Sequence, residues 1–103
     1  MVVAATQIKV NGIIGFLRFM LLLRNTIKQL KTADGLMFAE FKKFQTLTAW
    51  VDYDTLKAFR NNGYHLKAMK ITKTIGKVKS VIWETQYEPS WQEAKEKLKG
   101  IEY

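Results

Sequence analysis

Cysteine is absent from this chain, and proline and histidine each occur once. Without a thiol there is no disulfide framework, no thiolate metal site and no cysteine nucleophile, and a reducing, cytoplasmic setting is expected. A lone histidine without clustered carboxylates indicates no metal site. Glycine is limited to six positions, and with so little proline the chain does not read as low-complexity or disordered. Acidic side chains are also scarce, nine against seventeen Lys and Arg, which leaves a net charge of +8. There is no phosphate-cradling glycine loop, no G-x-S-x-G elbow and no internal repeat.

Nor is there an apolar run of membrane-spanning length. The most apolar stretch, GIIGFLRFMLLLR at residues 12–24, is punctuated by Arg18 and Arg24 and has neither the basic leader nor the small-residue cleavage site of a signal segment. It reads as a buried helix of a soluble protein, with no membrane partner expected.

What is present is core-forming material. Hydrophobic residues make up 48% and aromatics 13% of 103 residues, enough for one packed domain over residues 1–103 and too short a chain for two. VVAATQIKV, bounded by Asn11-Gly12, reads as a strand. From Ile13 the period changes: Ile13, Phe16, Met20, Leu23, Ile27 and Leu30 recur at helical steps, with Arg18, Asn25 and Lys28 off that stripe. Asp34-Gly35 ends this helix and opens a hairpin of LMFAEFKKF and TLTAWV, turning near Phe44 and Gln45.

Asp52 or Asp54 can cap a second helix carrying Leu56 and Phe59. Asn61-Asn62-Gly63 interrupts it before YHLKAMKITK, since glycine costs about 1 kcal/mol in a helix interior. KVKSVIWETQY reads as a fourth strand. Ser90 with Glu93 three residues on opens a terminal helix that Gly100 stops, with Trp91, Ala94 and Leu98 packing it onto the body.

The order β-α-β-β-α-β plus a terminal helix is the ferredoxin-like split βαβ arrangement, a four-stranded antiparallel sheet in the α+β class. Thr46, Thr48 and Trp50 alternate with Leu47, Ala49 and Val51, so both faces of the sheet carry large apolar groups. Burying both faces calls for a second cover, expected from a second copy in a homodimer.

TLTAWVDYDTLKAFRNNGYHLKAM, residues 46–69, and PSWQEAKEKL, residues 89–98, resemble the antibiotic biosynthesis monooxygenase family, the second run resembling the tail of its uncharacterised members. The resemblance implies a dimeric α+β barrel formed sheet to sheet, with a pocket in each protomer between sheet and helices. The family's activities are oxygenation of aromatic polyketides without metal or flavin and, in one branch, breakdown of haem. That branch uses an asparagine on the first strand, a tryptophan on the second long helix and a histidine ten residues beyond it. Here those positions hold Gln7, Phe59 and Met69, with His65 one turn before Met69. Haem is therefore not expected, and no other cofactor is implied.

The resulting site is an apolar pocket near Trp50, Phe59, Met69 and Gln7, with His65 as the candidate catalytic residue. Its imidazole titrates near neutral pH and can move a proton, as the general base of a cofactor-independent monooxygenase acting on an aromatic or polyene-like molecule. The alternative reading of His65 is a solvated helix-rim residue, and of the protein a non-catalytic ligand-binding or interaction module. Lys67, Lys70, Lys73, Lys77 and Lys79 form a basic run that would suit a phosphate backbone. The aromatic RNA-binding pattern of ferredoxin-like sheets is missing, so the run reads as a solvated helix face and turn, and nucleic acid is not an expected partner.

Haemin titration is expected to leave the Soret band unshifted in the wild type and in His65→Ala alike; a saturable shift lost in the variant would make His65 an axial ligand.

Overall fold

The first strand, β1 (Val2–Val10), pairs along both of its edges, antiparallel to β3 (Gln45–Trp50) on one side and to β4 (Gly76–Glu84) on the other. With β2 (Leu36–Lys42) outside β3, the sheet order is β2-β3-β1-β4. Two crossovers produce that order. Helix α1 (Gly12–Leu30) leads from β1 to β2, and α2 (Tyr53–Arg60) lies between β3 and β4. A terminal helix, α3 (Trp91–Lys99), follows β4. This is the split βαβ, ferredoxin-like architecture. The computed structural model describes residues 1–42, 44–61, 69–71 and 74–103; of these, 69–71 and 74–75 are helical. The proposed interruption at Asn62-Gly63 lies outside the described residues.

Alternation along the strands feeds two separate cores. Val3, Ala5, Leu47 and Ala49 project from one face and bury themselves under Ala94 and Leu98 of α3. Val2 and Trp50 project from the other and join Leu30 of α1 with Leu56 and Phe59 of α2. Over its central part the second apolar face is covered by the chain's own terminal helix. Trp91 fixes that helix as a bridge, its ring against the core cluster and its indole N–H donating to Glu40 Oε2 at 2.7 Å.

The starts of α2 and α3 follow the capping chemistry of their sequences. Asp52 Oδ1 accepts from the Thr55 amide at 2.8 Å, and Ser90 Oγ from the Glu93 amide at 3.2 Å, each satisfying a donor the helix leaves open. Other boundaries differ from expectation. Helix α1 ends at Leu30, before Asp34-Gly35, and β4 stops at Glu84, short of the expected end at Tyr87. Lys77 and Lys79 sit on β4, on the α3 side of the sheet, where Lys79 Nζ lies 4.9 Å from the centre of the Tyr103 ring. They are not the solvated helix face and turn that the spacing suggested; Lys67 and Lys73 lie outside the described residues.

Helix α1 departs most from the expected pattern. Its buried residues are Gly15, Phe19 and Leu30. Ile13, Phe16 and Met20, expected to face the core, are exposed, so the burial anticipated for residues 12–24 holds only for the inner side of the helix. Gly15 permits close contact, since a Cβ there would lie 3.2 Å from the Ile75 carbonyl oxygen. Farther along, the hairpin tip reaches the helix: Phe44 adopts φ 62° and sets its ring 5.9 Å from Phe16 and 5.6 Å from Phe19. A left-handed backbone at a non-glycine residue costs about 1–2 kcal/mol, offset here by those aromatic contacts and by the Ile8 amide donating to the Phe44 carbonyl at 2.8 Å.

Gly76 begins β4 where it runs against the end of β1, and a Cβ there would fall on the Lys9 carbonyl. Gly76→Ala is expected to lower stability by about 1–3 kcal/mol or more through overpacking against backbone. Gly100→Ala, at a position with φ −84° and open space around it, should stay within about 0.5 kcal/mol. Urea denaturation of both variants checks the contrast.

Candidate functional site

Between α1, α2 and the sheet face opposite α3 lies a cavity of about 140 Å³. Its roof is the inner side of α1, through Phe19, Leu22, Leu23, Thr26 and Leu30, and its end wall is Trp50, Leu56 and Phe59. The Trp50 and Phe59 rings stack obliquely, centres 5.1 Å apart at 34°. Trp50 is fully buried, and its indole N–H donates to Thr48 Oγ1 at 3.0 Å. Thr48 Oγ1 in turn donates to the Ala4 carbonyl at 3.5 Å, which ties the ring to the central strand.

The floor carries a line of hydroxyls. Thr46, Thr6 and Ser80 are cross-strand neighbours on β3, β1 and β4, and all three line the cavity. In the next row, Thr48, Ala4 and Ile82 do the same. Arg60, at the end of α2 and half-buried, is the only charged side chain among the described lining residues. The arrangement is an apolar enclosure with a few placed polar groups and one cation, the common form of a small-molecule site. Its size is close to that of a cavity of about 150 Å³ that takes up benzene, so it matches one aromatic ring, with anything larger extending towards the opening.

Of the residues singled out in the sequence, Trp50, Phe59 and Met69 line this cavity. Gln7 does not. Thr6 and Ile8 occupy the cavity side of β1, so Gln7 points to the α3 side, in register with Gln45 and Lys79. His65 lies outside the described residues. The hydroxyl row and Arg60 were not singled out in the sequence. The alternation of Thr46 and Thr48 with Leu47 and Ala49 was a usable signal for Thr46 alone, whereas joining Thr6 and Ser80 to it needs the strand register. Among the described residues no cluster of His, Cys, Asp or Glu could hold a metal ion.

This topology recurs in solved structures. An antibiotic biosynthesis monooxygenase superposes with a TM-score of 0.73 at 11% identity, over 82% of this chain and 98% of that one. A variant of SnoaB, a cofactor-independent oxygenase from Streptomyces nogalater, gives 0.69 at 11% identity, over 84% and 94%. The chain has the fold of the antibiotic biosynthesis monooxygenases. A dimeric ferredoxin-like protein of unknown function from Jannaschia sp. CCS1 shares that fold too, with a TM-score of 0.71 at 14% identity over 82% and 98%. No protein-family model matches the sequence, and comparison with curated proteins returns no match. At these identities the likeness to the monooxygenases is one of fold.

The Thr48 hydroxyl is the acceptor that holds the Trp50 indole. Thr48→Val leaves that buried N–H unpaired and is expected to lower stability by about 1–3 kcal/mol, whereas Thr48→Ser, which keeps the acceptor, should recover most of it. Denaturation midpoints of the two variants, read at constant slope, test this.

Proposed function

We propose that the chain binds an apolar, ring-bearing small molecule in the cavity under α1 and oxygenates it without metal or flavin. The observation that carries the reading is the cavity itself: apolar walls, a hydroxyl row and one guanidinium, in the fold that SnoaB also has. An aromatic or polyene-like substrate suits the Trp50–Phe59 wall. An oxygen substituent suits Arg60 and the hydroxyls of Thr6, Thr46 and Ser80.

His65 is the proposed base. It takes a proton from an activated methylene, and Arg60 stabilises the enolate or phenolate oxygen that then carries the charge. The electron-rich carbanion reduces dioxygen and forms a carbon–oxygen bond. Cleavage of the resulting peroxide turns the methylene into a carbonyl and releases water, so the substrate supplies the electrons and one oxygen atom enters it. The apolar walls exclude bulk water from the reactive carbanion. A homodimer and a cytoplasmic setting belong to the same proposal, the first supported by the dimeric protein of this fold.

A second reading, a binding protein without turnover, is favoured by one observation: the described cavity lining holds no acid. Oxygen uptake with a panel of small phenols, anthrones and polyenes, alongside quenching of tryptophan fluorescence, separates the two. Catalysis predicts that His65→Ala loses turnover by about 100-fold or more while affinity is retained, and that Arg60→Gln weakens binding of the anionic members of the panel. Binding without oxygen uptake selects the second reading; absence of both overturns the cavity as a site.

A further inference from the structure

We propose that the outward face of α1 is a docking surface for anionic lipid, through which the protein rests on a membrane with the roof of its cavity against the bilayer. The proposal is independent of whether the cavity is catalytic.

Most amphipathic helices on a sheet hide their apolar stripe and show a polar one to water. Helix α1 is apolar on both sides. Its inner side roofs the cavity, while Ile13, Ile14, Leu17 and Leu21 on the outer side are 75%, 72%, 58% and 62% exposed. Leu17 and Leu21 lie one turn apart on a single line, and that line continues through Arg24 and Lys28, both exposed. Arg18, Lys9 and Lys31 are exposed around it. No Asp or Glu occurs in residues 1–33.

Charge selects the occupant. Were a second copy to cover this face, α1 against α1, the cations would be pressed onto Ile13 and Leu17 or onto one another. The helix offers no carboxylate to pair them, and desolvating unpaired cations is costly. An anionic bilayer supplies what the helix lacks. Its acyl boundary takes the aliphatic side chains, and its phosphates take the guanidinium and ammonium groups at the end of flexible stems. No helix of the described residues is long and apolar enough to cross a membrane, so the mode is in-plane seating. A molecule dissolved in the lipid then meets the same helix whose other side forms the cavity roof.

The test is co-sedimentation of the full chain with vesicles of phosphatidylcholine alone and of equal parts phosphatidylcholine and phosphatidylglycerol. Binding to the anionic vesicles is expected to be on the order of 100-fold tighter, the effect of about three interfacial cations, and to weaken with salt. Leu17→Ser with Leu21→Ser should abolish it and Arg24→Gln with Lys28→Gln should reduce it at least about ten-fold, with far-ultraviolet circular dichroism unchanged. Neither pair lines the cavity. Should the serine pair disturb folding, the glutamine pair and the salt dependence decide alone. No binding to anionic vesicles at low salt overturns the proposal, as does binding that ignores both pairs. A dimer that dissociates on the serine substitutions, without vesicle binding, would assign the face to a second copy and overturn it equally.

Discussion

The structure depends on a central strand with hydrogen-bonded neighbours on both edges and a different core on each face. Residues of β1 alternate between a cluster closed by the terminal helix and a cavity closed by α1 and α2. A slip of one residue would exchange the two sets: Val3 and Ala5 would face the cavity, and Thr6 would face α3. Register is fixed because the sets are unlike. The strand residues fully buried on the α3 side are small or aliphatic, whereas the other side adds a row of hydroxyls and the Trp50–Phe59 pair.

Much of this order was legible in the residues. The strand alternation in TLTAW, the caps at Asp52 and Ser90 and the seat of Trp91, Ala94 and Leu98 are local chemistry, and local chemistry survived folding. Three features were not legible. Helix α1 carries apolar side chains on two sides, so periodicity offers no unique inner face, and contact with Ile75, Phe44 and the sheet makes the choice. Placing Gln7 required knowing on which side Thr6 falls, and only cross-strand pairing supplies that. The share of the second sheet face that the terminal helix covers was not legible either, because that helix, short and charged along its outer side, gave no sign of which face it would choose.

The cavity shows the same division between local and tertiary origin. Trp50 and Thr48 are two residues apart on one strand, so their hydrogen bond follows from sequence spacing. The row from Thr46 through Thr6 to Ser80 exists only because three strands align, and it places polar groups on a floor whose walls are apolar. The polar groups of the cavity are thus gathered on its floor, and its walls are left to aromatic and aliphatic side chains.

Phe44 joins the hairpin of β2 and β3 to α1. Its backbone is held in an unfavourable region while its ring braces Phe16 and Phe19. The two conditions are coupled, since ordinary right-handed geometry at this turn would point the ring away from α1. The hairpin tip therefore braces the first half of α1, and the geometry of that one turn bears directly on the helix that roofs the cavity.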